Sequence, residues 1–185
     1  ATSGAVAMVI GLLIKSNIAN FFAGISIMQG YAVQMGQWVK ISGFDEGRVE
    51  EITKLVTRIR TREGVLLSIP NSVVLGSTIH NYGDPDDVYW TEFTLETVPE
   101  PPPEQVMEVL KNAALATDGI LHEDPEPVII FKGQGDSSAI YTVRFAARDY
   151  AQKPILTTAV WNNVWLHLEK AGIERARGLV FVSRT

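Results

Sequence analysis

With 185 residues, 46% of them hydrophobic and 20% charged, the chain is long enough to bury about one large core or two to three small ones, which excludes a disordered tail. Cysteine is absent, which excludes a disulfide scaffold, thiolate zinc sites and a cysteine nucleophile. The net charge of −5 is uneven: residues 1 to 82 carry 7 basic and 5 acidic groups, residues 83 to 185 carry 9 and 16, and no Lys or Arg lies between Arg62 and Lys111, so the second part repels nucleic acid and attracts cations.

The chain opens on "AVAMVIGLLI", residues 5 to 14, an uninterrupted run of apolar and small residues. A bilayer core of ~30 Å needs about 20 apolar residues in a helix, so this run supplies roughly half a span and cannot cross alone. The first residue is Ala1 and only "ATSG" precedes the run, without the basic segment of a secretory signal, so the chain reads as a fragment or processed product. Gly4, Ala7 and Gly11 recur on adjoining helical turns, a spacing that lets helices approach closely in membranes. Met8, Leu12 and Lys15 form another stripe at i, i+4 and i+7. A second apolar stretch, Ile18 to Val33, is broken by Asn20, Ser26, Gln29 and Gly30, so two helical pieces with a bend near Ser16 and Asn17 are expected. On pattern alone, a buried hairpin of helices fits as well.

From Gly36 the period shortens to that of strands. "QWVKISG", "GRVEEIT", "LVTRIRT" and "VLLSIPN" are rich in Val, Ile and Thr and separated by turn residues, which predicts a strongly bent sheet or small barrel over residues 36 to 72. Arg58, Arg60 and Arg62 alternate and so share one face, where anionic lipid headgroups are a more natural partner than nucleic acid, for want of interleaved aromatics. After "HNYGDPDD" come a strand over 88–95, a proline-rich link, a helix from Pro103 to Thr117, a strand over 127–131, the turn "KGQGD", a strand over 138–148, a helix over 154–171 and a strand "LVFV" over 179–182. Strand, helix, strand, strand, helix, strand is the split βαβ order of ferredoxin-like folds.

No catalytic or metal-ligating constellation emerges. His80, His122 and His167 lie far apart, "DPDD" and "HEDPE" lack the register of a calcium loop, and "KGQGDSS" lacks the third glycine or the lysine-serine pair of a phosphate loop. No cofactor is implied.

The stretches "SNIANFFAGISIM", "GQWVKISG", "EGRVEEI", "TRIRTREGVLLSIPNSVV" and "IHNYGDP", with the later "GQGDSSAIYTVRF", resemble in order and spacing the small-conductance mechanosensitive channel family. That resemblance implies an α+β membrane channel fragment: a bent pore helix with its continuation (1–33), a small Sm-like β-barrel domain (34–83), a ferredoxin-like α/β vestibule domain (84–175) and a carboxy-terminal strand (176–185). It implies a homo-oligomer, a heptamer, in the cell membrane, with several membrane passes, carboxy-terminal domains in the cytoplasm, and lipid, ions and small osmolytes as partners. Met8 and Leu12 match the family's apolar constriction, Gly4, Ala7 and Gly11 the packing face, and Ser16 and Asn17 the bend; Lys15, on the stripe of Met8 and Leu12, would then be a pore-lining charge. With the acidic vestibule weighed against Lys15, low selectivity with a cation bias is expected. The implied function is opening under membrane tension to release solutes on hypo-osmotic shock. The rival reading is a soluble oligomeric Sm-like binding module.

Overall fold

The computed structural model describes residues 2–30, 32–83 and 87–176, including within α1 the side chains of Gly11 and of residues 14 to 28. The chain divides into two compact units, residues 1–84 and 85–185.

The first unit begins with α1, Thr2–Met28, one uninterrupted helix in which Ser16 and Asn17 are both helical. Gly30, at φ +83°, ends it, its N–H donating to the Ile27 carbonyl at 2.8 Å in the left-handed conformation that glycine adopts without a Cβ penalty. At 27 residues α1 is about 40 Å long. Among the described residues no helix is both long and apolar enough to cross a membrane.

Five antiparallel strands follow: β1 (Trp38–Ile41), β2 (Gly47–Ile52), β3 (Val56–Thr61), β4 (Leu66–Pro70) and β5 (Ile79–Asn81), in the order β4-β3-β2-β1-β5. The expected barrel is not closed, since β4 and β5 stand at opposite edges of an open sheet among the described residues. A short helix, α2 (Asn71–Gly76), breaks the chain between these two strands; the sequence reading ends the β region there and assigns neither α2 nor β5. Ile27, Val33, Val39, Ile41, Val49, Ile59, Ile69 and Val74 form the core, so the far end of α1 and α2 both belong to it. β2 carries a bulge between Val49 and Glu51, which turns Glu50 and Glu51 to the same exposed face.

In the second unit β6 (Tyr89–Thr97), β7 (Val128–Gln134) and β8 (Ala139–Ala147) form an antiparallel sheet with β8 in the middle, the strand order a split βαβ requires. Helices α3 (Pro103–Leu115) and α4 (Lys153–Lys170) bury Val106, Leu110, Ala113, Val160, Val164 and Leu168. Pro103 opens α3 at a position where its missing N–H costs no hydrogen bond, and Phe93 stacks on Trp161 at 4.4 Å. β7 runs further than its apolar residues suggest, because a bulge between Phe131 and Gly133 carries the strand into the glycine segment; the turn is closed by Gly135 donating to Ser138 at 2.8 Å. After α4 the chain returns antiparallel to β6, with Thr97 bridged to Arg175. The expected strand at 179–182 lies outside the described residues.

Candidate functional site

The functional feature of the first unit is the joint between α1 and the β-sheet. Asn20, Ala23, Gly24 and Ile27 recur at i, i+3, i+4 and i+7 and so make one face of the helix. Ala23 and Ile27 are buried. Asn20 Oδ1 accepts a hydrogen bond from the Ser72 backbone N–H at 2.9 Å, tying the helix to the first turn of α2. Gly24 passes so close to the β2–β3 turn that a Cβ there would stand 2.5 Å from both the Lys54 carbonyl oxygen and Asn71 Nδ2.

Asn71 is the other half of the joint. Fully buried, it accepts from Thr57 Oγ1 at 2.9 Å, donates through Nδ2 to the Thr53 carbonyl at 2.9 Å and donates its backbone N–H to the Leu55 carbonyl at 3.0 Å. The turn that meets Gly24 is thus held from beneath by one side chain whose hydrogen-bonding groups find partners on β3 and on the loop. Losing such a partner inside a core costs about 1–3 kcal/mol, which is why a polar residue at this depth fixes one arrangement of the surrounding chain.

The opposite side of α1 is apolar and uncovered by its own chain. Ile14, Ile18, Phe21, Phe22, Ile25 and Met28 are all exposed, Phe22 by 62%. Lys15, Ser16 and Asn17 are exposed as well. Gly4, Ala7, Met8, Gly11 and Leu12 all lie on α1, and a Cβ on Gly11 would meet nothing within 4 Å, so its small size answers no contact inside the described chain. The side chains of Met8 and Leu12 lie outside the described set.

Arg58, Arg60 and Arg62 do share the outer face of the sheet, but each is engaged by a glutamate of the neighbouring segment. Arg58 pairs with Glu51, Arg60 Nη2 with Glu50 at 2.9 Å, and Arg62 Nε with Glu46 at 2.8 Å. Arg62 also lies 4.3 Å over the Trp38 ring. Where the sequence suggests a basic face for lipid, the structure has a compensated ladder, with the bulge in β2 supplying two of its three carboxylates. The hydrogen bond from Arg60 holds the Glu50 carboxyl below the usual glutamate range, with the Arg60 charge adding to it. Among the described residues no group of three or more metal-ligating side chains is present.

The sequence reading leaves Asn20, Gly24 and Asn71 without a role. The signal is present in it nonetheless: the i, i+3, i+4, i+7 spacing of Asn20, Ala23, Gly24 and Ile27, and the "IPNS" in which Asn71 sits.

Comparison with known proteins places these elements. The family model described as the mechanosensitive ion channel β-domain matches residues 16–84, and that of the MscS carboxy-terminal domain matches residues 87–174. An MscS family protein of Archaeoglobus fulgidus, itself described as uncharacterized, is 30% identical over 171 residues, covering 92% of this chain and 59% of its own length. The small-conductance mechanosensitive channel MscMJ of Methanocaldococcus jannaschii is 45% identical over 74 residues, 40% of this chain and 21% of that protein. The chain therefore spans about three fifths of the first of these relatives and a smaller share of the second. The crystal structure of Helicobacter pylori MscS in its closed state is similar in fold, with a TM-score of 0.77 and 22% identity over all of this chain and 72% of that one. With both domain models matched in order along one chain, and with a relative of the same family aligned along nearly its whole length, this chain belongs to the MscS family of mechanosensitive channels.

Proposed function

We propose that this chain supplies the pore helix and cytoplasmic vestibule of a channel that membrane tension opens, releasing ions and small solutes on hypo-osmotic shock. The observation that carries the proposal is the two-sidedness of α1, bolted to the sheet through Asn20, Gly24 and Ile27 while six large apolar side chains face outward. A helix fixed on one side and greasy on the other is suited to lie at a membrane interface and to pass a displacement of the lipid boundary into the sheet. In this reading copies of the chain, seven of them, ring an axis in the cell membrane, the preceding membrane passes belong to the remainder of the protein, and the vestibule hangs in the cytoplasm.

Met8 and Leu12 form two apolar rings one turn apart in the neck. Such a neck dewets, and an ion stripped of water faces a steep desolvation cost. Gly4, Ala7 and Gly11 let neighbouring helices slide as the neck widens, while Ser16 and Asn17, helical within α1, mark where that helix would bend in the assembled channel. Tension acts as a ligand favouring the state of larger area; moving a population from 1:99 to 99:1 takes about 5.5 kcal/mol. No chemical step is involved.

The test is made on the full-length protein in patches. Leu12→Ser and Met8→Ser should each hydrate the neck and lower the opening tension; a threshold unchanged in both would remove these side chains from the gate.

A further inference from the structure

We infer that Met28 and Met35 form a reversible oxidation site at the elbow between α1 and the sheet, oxidised by hydroperoxides and restored by methionine sulfoxide reductases. The chain has no cysteine, so its four methionines hold all of its sulfur. Met28 and Met35 are 58% and 65% exposed, whereas Met107 on α3 is half-buried. Both line one cleft of about 460 Å³, together with the core residues Ile27 and Val33 and the amide side chains of Gln29 and Gln34. The sequence repeats itself here: in "MQG" (28–30) and "QMG" (34–36) each methionine adjoins a glutamine and stands within two residues of a glycine. Gly30, at φ +83°, and Gly36, at φ +92°, make the left-handed bends that lead from α1 to β1, so the two sulfurs flank the path by which the helix joins the sheet.

The chemistry is a two-electron oxidation. The thioether sulfur attacks the terminal oxygen of the hydroperoxide, an S–O bond forms and the O–O bond breaks. The departing oxygen takes the hydroxyl proton and leaves as water, or as an alcohol from an organic hydroperoxide. As a thioether, methionine fills irregular apolar gaps. As a sulfoxide it carries a strong acceptor oxygen that must be solvated or hydrogen-bonded. Gln29 and Gln34 supply amide donors at the same cleft, Gln34 Nε2 close enough that a Cβ on Gly30 would stand 3.3 Å from it. The oxidised side chains are therefore drawn outward to amides and water, and Ile27 and Val33 lose apolar cover. The last turn of α1, where the Gln29 N–H donates to the Ile25 carbonyl at 3.1 Å and the Gly30 N–H to the Ile27 carbonyl at 2.8 Å, loosens in consequence. Exposure alone makes any surface methionine reactive; a shared cleft whose deep residues belong to the core is what gives this oxidation a structural effect.

The experiment treats the full-length protein in liposomes with hydrogen peroxide. It reads oxidation at each methionine by peptide mass, exchange at the Gln29 and Gly30 amides, and recovery when methionine sulfoxide reductases A and B are added. Met28 and Met35 should oxidise about tenfold faster than Met107, exchange at the two amides should rise about threefold or more, and the reductases should reverse both changes. The double variant Met28→Leu, Met35→Leu should lose the exchange response to peroxide, and Met28→Gln, Met35→Gln should show the raised exchange without it. Oxidation of Met28 and Met35 no faster than that of Met107, or an exchange response that persists in the leucine variant, overturns the inference. In patches, peroxide should raise the opening tension of the wild type and leave that of the leucine variant unchanged; an equal rise in both overturns it as well. This last arm alone rests on the channel reading, and a protein silent under suction refutes that reading while mass and exchange still decide the oxidation site.

Discussion

Asn71 holds Thr57 on β3, the Thr53 carbonyl and the Leu55 carbonyl with one residue, and Gly24 touches the turn so held. The joint is consequently sensitive to single atoms. In Asn20→Ala the Ser72 amide loses its acceptor, and hydrogen exchange at that amide should accelerate about fivefold to tenfold, the equivalent of a hydrogen bond worth roughly 1 kcal/mol. Gly24→Ala should do more, because the added Cβ meets a backbone carbonyl that cannot rotate away. The α1 surface should then lift from the turn, and exchange should rise across residues 53–57 as well as at Ser72. Unchanged exchange in both variants would show that the helix is not seated on the sheet by these residues. This part of the site is half legible in the sequence. The spacing of Asn20, Ala23, Gly24 and Ile27 marks a helix face, but whether small residues on a helix meet another helix or a β-turn depends on a partner 30 or more positions away.

At the level of elements, the Arg–Glu ladder across β2 and β3 depends on the bulge at Glu50, without which alternation would turn Glu51 inward. Because Arg60 holds the Glu50 carboxyl below its unfolded value, the Arg60–Glu50 pair's contribution to the hairpin is complete above the ordinary glutamate titration range and is lost as pH falls through the lowered value. Exchange protection of residues 47–61 should therefore decline on acidification below the ordinary glutamate range, and Glu50→Gln should remove the Glu50 share of that decline. A decline identical in the variant would assign it to other carboxylates. High salt should mimic the effect in part, since these pairs are largely exposed. The strands themselves are legible from their period, as are the two helices of the second unit from their buried stripes. The short helix α2 is not, because "NSVVLG" holds two β-branched valines in a six-residue element that has little propensity of its own and is held by Asn71 and Val74 in the core. The bulge in β2 is equally silent, since Glu50 and Glu51 read as ordinary strand, while that in β7 falls on Lys132 and Gly133, which the sequence assigns to the turn "KGQGD".

For the whole molecule, the order strand, helix, strand, strand, helix of the second unit is legible, because it follows from local pattern and proline placement. The sequence does not carry closure of the first sheet: four short strands of regular spacing suit a barrel and an open sheet alike, and the edge pairing that decides between them is a long-range matter. The proposed mechanism is mechanical: a helix fastened to a sheet passes lipid tension to an apolar neck. The most direct measurement is current through the full-length protein in liposome patches under graded suction, compared with protein-free patches. The account predicts stepwise conductance that appears above a reproducible tension and closes on its release; patches containing the protein that stay silent up to the lytic tension would contradict it.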